Sequence, residues 1–422
     1  MAPTAQHERN LRLLTAFAFL QASAFWLPIL FFFQLEVVGP AEVIALEGAY
    51  YLANVIFEVP SGAFSDRIGR KSTLLLAGLA KVAGLVAFLA ADTWTGLLLG
   101  QLGLAFASAC VSGTDTSLLH ESLRGVGRVH EQPRYEARFA TLGYASLGIA
   151  CAAGGAIGSW SLRAAIAVAL LFALAELATA ALVRPASEGA DAARASRTEP
   201  GLGSGLWRAF RAFARPAAAW IAVYFVVILA LDHAILELLQ PMVAALIEGP
   251  DSGDTLRRAP WITGALLAAL FAVSSFAAAS GPTWVRRLGE ARVLGLAFAL
   301  QVALPLGLAL LWSPWALGLV LLRKVPQALS LPLLRSALHR RVPDEARATS
   351  FSVLSLFGSL FFAGCLGGLA WRWGALHQLG GAELRWALGS FALGGGLSAL
   401  LLGTTRGLAN RSASEDARRA GH

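Results

Sequence analysis

Apolar residues run in stretches of about twenty along the whole chain, broken by short segments rich in glycine, proline and charge. An α-helix rises about 1.5 Å per residue, so about 20 such residues cross a hydrocarbon layer about 30 Å thick. Twelve stretches reach that length: residues 11–34, 42–61, 72–91, 94–119, 139–160, 162–183, 217–245, 261–282, 293–312, 315–338, 350–371 and 384–404. The longest polar stretch, 184–215, contains Pro185, Gly189, Pro200, Gly201, Gly203 and Gly205 and divides the twelve into six and six. The pattern predicts an all-α membrane protein with twelve transmembrane helices in two six-helix bundles, 1–183 and 216–405, joined by a linker at 184–215 and followed by a tail at 406–422. Late in the linker, Trp207, Phe210 and Phe213 alternate at helical period with Arg208, Arg211 and Arg215, which predicts an amphipathic helix on the membrane surface.

Composition closes off the soluble classes. Of 422 residues 56% are hydrophobic and only 14% charged, with mean hydropathy +0.62, whereas soluble domains carry about 25% charged residues. Twelve spans of about 22 residues leave about 158 for loops and tails, too few for a soluble catalytic domain. The net charge of +8 is explained by topology. With the N-terminus inside, cytoplasmic segments hold 26 basic residues and external loops 5, so both termini and the linker are placed in the cytoplasm. Trp94, Trp160, Trp261, Trp312, Trp315, Trp371, Trp373 and Trp386 fall at the ends read as external, where indoles favour the headgroup layer. Nucleic-acid binding is therefore not expected. Thirty-one Arg against three Lys, with much Ala and Gly, suggests a GC-rich bacterial gene and hence the inner membrane. Cys110, Cys151 and Cys365 lie far apart in apolar runs, a pattern of small buried side chains with neither metal nor cofactor to hold. The Ala22-Ser23-Ala24 run resembles a cleavage site, but removing the first span would leave an odd number, so it is read as a retained helix.

The halves echo each other: Pro133 to Arg138 precedes the fifth span and Pro343 to Arg347 the eleventh, with their Glu-Ala-Arg triplets 209 residues apart. Parallel repeats of this kind build transporters that rock about a central site. Between spans two and three stands Gly62-Ala63-Phe64-Ser65-Asp66-Arg67-Ile68-Gly69-Arg70-Lys71. Two glycines permit a tight turn, and the basic residues hold the loop inside. The segment resembles, at every defined position, the signature loop of the major facilitator superfamily. Glu58-Val59-Pro60 and Arg347-Ala348-Thr349 more weakly resemble its bacterial drug-efflux branch. The resemblance implies a cytoplasmic latch in which Asp66 faces the N-terminus of the eleventh helix. Arg70 then pairs with an acid below the fourth, Glu121 first and Asp115 second. The equivalent loop of the second half keeps Arg286, Arg287 and Gly289 but has Arg286 where the acid should stand.

Two family signatures are incomplete. Gln101 stands where drug/proton exchangers carry an arginine in the fourth helix, and Gly148, Gly154, Gly155 and Gly158 of the fifth lack the antiporter's Gly-Pro pair, indicating close helix packing instead. Ionisable groups within spans are costly and mark candidate sites. The seventh span carries Asp232, His233 and Glu237, and the tenth carries Arg323 and Lys324. The resemblance places spans one, four, seven and ten around the central cavity, so these charges are the candidate substrate and proton sites, Asp232 ahead of Glu237. Gln21 and Trp26 on the first span, with Gln101 and Asp115 on the fourth, could add polar contacts or an aromatic wall. Pro326 is expected to kink the tenth helix. Glu47 and Glu176 are read as locally paired interface or lipid-edge residues, and Lys81 as snorkelling toward the cytoplasm.

The functional expectation is a monomeric secondary transporter, proton-coupled and exporting a lipophilic or cationic small molecule across the bilayer. Import of a small polar nutrient or organic anion is the alternative. A polytopic membrane enzyme is the third reading, with His120-Glu121 its nearest catalytic constellation. No phosphate loop for ATP is present in the sequence. The latch yields a first prediction: Asp66→Asn leaves the protein in the membrane but reduces transport, and normal transport by the variant overturns the latch.

Overall fold

A computed structural model describes residues 3–184, 213–247, 252–339, 347–374 and 380–420. The linker and its amphipathic helix, and most of the loop before the eleventh span, lie outside them. The described chain is mostly helical within the predicted spans. Ten helices are long and apolar enough to cross a bilayer among the described residues. The first predicted span is divided between helices Pro3–Gln21 and Leu30–Leu35, and the second lies within Pro40–Ile68. The last helix, Gly381–Ala420, carries the twelfth span on into the predicted tail.

By packing, the described residues fall into two compact units. The first draws on Met1–Glu199, Ile247–Ala272 and Cys365–Gln378, and the second on Pro200–Leu246, Val273–Gly364 and Leu379–His422. In the first unit two apolar clusters form. One gathers Phe25, Ile29, Phe33, Leu85, Phe88, Leu97, Ala169 and Ala173, and the other Leu11, Leu14, Phe17, Leu74, Ala77, Leu118, Leu119 and Ala180. The second unit is centred on Ile221, Tyr224, Ile228, Phe298, Leu334 and Leu354.

A buried ion pair occupies the seam between the first two clusters. Lys81 lies between Ala77 and Leu85 along its helix, and Glu176 between Ala173 and Ala180 along another. Lys81 Nζ donates to Glu176 Oε2 at 2.6 Å and to the Gln21 carbonyl at 3.0 Å, and lies 5.3 Å from the Trp26 ring centroid. Lys81 therefore does not snorkel. With an internal carboxylate, a helix-end carbonyl and an aromatic face all within reach, the ammonium is better held inside than at the membrane surface. Glu176 is likewise a core residue and not a lipid-edge one.

Close backbone approach fixes the fifth helix, Gln132–Gly158. A Cβ on Gly154 would lie 2.2 Å from the Phe25 carbonyl oxygen, and one on Gly155 would lie 2.4 Å from the Pro260 oxygen and 2.9 Å from the Gly264 Cα. These glycines pack helices, as their spacing indicated. Trp94, Trp160, Trp261, Trp315, Trp371 and Trp386 are exposed at the predicted outer ends, but Trp373 is buried. About half a turn beyond Trp371, its ring points into the protein and not toward headgroups. Cys110 and Cys151 are buried, whereas Cys365 is only half-buried.

The signature segment also differs from the loop expected. The helix Pro40–Ile68 runs through Gly62, so only Gly69 makes the turn, at φ 87° and ψ 151°, before the next helix begins at Arg70. Gly289 repeats it at φ 81° and ψ 152° between Leu288 and Glu290. Side chains strongly disfavour that backbone region. Gly69→Ala and Gly289→Ala should each lower stability by about 1–3 kcal/mol, read as a fall in the melting temperature of detergent-purified protein. At the seam, Glu176→Gln alone should cost about 3–5 kcal/mol because it strands a buried ammonium, while Lys81→Met with Glu176→Leu should recover most of that loss.

Candidate functional site

The four spans assigned by resemblance to the cavity share a feature: each is interrupted. The first stops at Gln21 and resumes at Leu30. The fourth is split into Trp94–Val111 and Thr114–Gly125 around Gly113, which has φ +78°. The seventh is split into Pro216–Glu237 and Leu239–Ile247. The tenth begins as a 3-10 helix, Pro314–Leu322, turns at Arg323 and Lys324, and continues as an α-helix, Val325–His339. Two breaks have a covalent cause. Pro241 and Pro326 have no N–H for the carbonyls four residues earlier, at Glu237 and Leu322, and Pro28 stands in the gap of the first span. Gly113 supplies the fourth through its left-handed conformation.

Chemistry gathers at the tenth break. Asp232, within the helix Pro216–Glu237, is fully buried and accepts three hydrogen bonds from two cations. Arg323 Nε donates to Oδ1 at 2.7 Å, Arg323 Nη2 to Oδ2 at 3.2 Å, and Lys324 Nζ to Oδ2 at 2.6 Å. Lys324 also donates to Gln327 Oε1 at 2.9 Å. The opposite charges of these two helices therefore meet in one triad. Because the 3-10 form rises about 2.0 Å per residue, Arg323 lies about 16 Å along the axis from Trp315, close to the middle of a bilayer about 30 Å thick. His233 turns away, its Nδ1 2.9 Å from the Leu229 carbonyl and its ring 5.4 Å from Phe362. Glu237 is half-buried at its helix end.

In the first unit Gln101 is buried and donates to Glu47 Oε1 at 2.8 Å, joining the second and fourth spans. Gln21 and Trp26 enter the site through the Lys81 contacts, one with its carbonyl and the other with its ring. Ser146 Oγ donates to the Phe19 carbonyl at 2.7 Å and lies 2.7 Å from Ser23 Oγ, tying the fifth helix to the same break. Sequence reading missed Lys81, Ser23 and Ser146 as supports of the break. Pro28 was the available signal for it.

At the signature segment, Arg70 pairs with Glu121 and its Nη1 lies 3.3 Å from the Ser117 carbonyl. Asp115, the second candidate, instead accepts the Thr116 backbone N–H at 2.7 Å. Lys71 is half-buried at the start of its helix. Gly62, Asp66 and Arg67 lie on the helix Pro40–Ile68, and their side chains are outside the described residues, as is the neighbourhood of Arg347 on the eleventh helix. His120 Nδ1 lies 2.7 Å from Gln132 Oε1. Arg128 donates to Glu8 at 2.8 Å and to both Glu131 oxygens, and the bond to Glu131 raises its pKa above the ordinary arginine value.

The family model for the Major Facilitator Superfamily matches residues 12–368. Among solved structures, a nucleoside transporter, NupG, superposes with a TM-score of 0.74 at 13% identity, covering 96% of this chain and 99% of that one. An autoinhibited peptide transporter of the POT family gives 0.67 at 13% identity, covering 95% and 96%. A POT peptide transporter in complex with sulfate gives 0.69 at 13%, covering 96% and 95%. No curated protein matches in sequence. At such identities the likeness is one of fold. The family match across most of the chain, on a multi-pass helical architecture, makes this chain a member of the major facilitator superfamily, a secondary transporter of small molecules.

Proposed function

We propose that the chain is a proton-coupled exporter of a lipophilic small molecule, working by alternating access as a monomer in the bacterial inner membrane with both termini in the cytoplasm. The Asp232–Arg323–Lys324 triad is its charge-exchange site. One observation carries this reading: a single buried carboxylate is shared by two cations at the break of the tenth span. Burying such charges costs several kcal/mol per ion and is repaid only by good mutual geometry. Any proton or charged solute that reaches the triad therefore changes which partner each group holds, and the interrupted helices give those partners room to separate. Arg70–Glu121 and Asp66 serve as the cytoplasmic latch. The 26 to 5 distribution of basic residues supports the orientation.

Asp232 suggested a cationic substrate, yet it already holds two cations, so the geometry favours no third. The same positive balance favours a second reading, import of an organic anion together with a proton. A static pair that locks the seventh and tenth spans is the structural alternative. Proteoliposomes carrying a pH gradient separate these readings, using labelled tetraphenylphosphonium, salicylate, uridine and dialanine as probes. Whichever solute the native protein moves should slow at least about tenfold with Asp232→Asn or Arg323→Gln, a rise of about 1.4 kcal/mol or more in the barrier. Normal transport by the double variant overturns the triad as the transport site, and the direction of movement against the gradient separates export from import.

A further inference from the structure

We infer that the triad is a seat for an oxyanion, so that the substrate carries a carboxylate or a phosphate monoester. This inference rests on the reading of the triad as the transport site. The argument starts from how Arg323 is used. A guanidinium presents five N–H groups on a rigid planar fork, and a carboxylate can dock on either its Nε–Nη edge or its Nη–Nη end. Asp232 takes the first of these, bonding Nε and Nη2. Arg323 Nη1 is buried and without a hydrogen-bond partner among the described residues, and the residue as a whole is 2% exposed. Lys324 has three N–H groups, of which Asp232 Oδ2 and Gln327 Oε1 accept two.

Charge selects what fits these open donors. The triad contains two cations and one anion, a formal excess of one positive charge at mid-membrane depth. A neutral acceptor could satisfy one N–H and leave that charge uncompensated. An oxyanion satisfies two donors and cancels it. The Lys324 side chain is 24% exposed, so the seat is approached from the lysine side, with Arg323 and Asp232 behind it. Asp232 acts as the internal counter-ion. It holds both cations charged and oriented when no substrate is bound, and competes for them when one arrives.

Competition gives the test a distinctive sign. Removing the acid from a cation site abolishes binding, whereas removing it from this seat strengthens binding of an anion. The experiment is thermal stabilisation of the purified full-length protein by salicylate, glycerol 3-phosphate, inorganic phosphate and tetraphenylphosphonium. Salicylate or glycerol phosphate should stabilise the native protein, should bind Asp232→Asn about tenfold more tightly, and should lose their effect on Arg323→Gln and Lys324→Gln. Arg323→Gln keeps the Asp232–Lys324 pair and so remains informative if Asp232→Asn fails to fold. Stabilisation by inorganic phosphate alone marks a free-ion site and overturns the substrate assignment. Anion effects that persist in Arg323→Gln, stabilisation by tetraphenylphosphonium alone, or no anion effect on either the native or the Asp232→Asn protein overturn the seat. Transport that depends on Asp232 without anion binding would refute the oxyanion while leaving the triad as the transport site. A freely transporting double variant would refute the site itself.

Discussion

Inside hydrocarbon every backbone N–H and carbonyl must find a partner in the protein, and the other features of this molecule follow from how that demand is met where helices stop. Eight of the predicted spans are continuous helices and satisfy it internally. The first, fourth, seventh and tenth do not, and at the first and fourth the ends recruit side chains. The Gln21 carbonyl receives Lys81, the Phe19 carbonyl receives Ser146, and the Gly113 carbonyl receives the Thr116 hydroxyl at 3.0 Å. Each partner comes at a cost of its own. Lys81 needs Glu176, so an ion pair is buried at the seam of two apolar clusters. A break in one helix thereby dictates the identity of residues on two others.

The charges follow the same logic and divide by role. Lys81–Glu176 is one acid on one base, enclosed between the clusters and tied to a carbonyl, a closed arrangement suited to holding a segment still. Asp232 with Arg323 and Lys324 is unbalanced, meets the break of the tenth span, and has donors to spare. Burial is similar in the two, but only the second can gain by changing partners. The membrane thus holds a balanced ion pair in one unit and an unbalanced triad in the other.

Much of this was legible in the chain. Span positions follow from apolar runs because hydropathy reports directly on the solvent that each helix meets. Asp232, Arg323 and Lys324 stood out because charge in a span has few tolerable explanations, and the Arg70–Glu121 pairing followed from the signature segment. Breaks were harder. Pro28, Pro241 and Pro326 mark interruptions, yet Pro305 lies inside the unbroken helix Glu290–Leu310 and Pro332 inside Val325–His339. A proline removes one hydrogen bond, and whether the helix stops depends on which neighbours can take the freed carbonyl. Lys81 was misread for a related reason. Its long side chain could reach several partners, and the choice among them is made by helices distant in sequence.

The 3-10 stretch Pro314–Leu322 makes the tenth span a screw of two pitches. A 3-10 turn takes about 3.0 residues and rises about 2.0 Å per residue, against about 3.6 residues and about 1.5 Å in an α-helix. Rewinding nine residues from the first form to the second would shorten the segment by about 4.5 Å and rotate its end by about half a turn. Arg323 and Lys324 sit at that end. A modest change in the winding of one short segment would carry two cations from one side of the helix to the other.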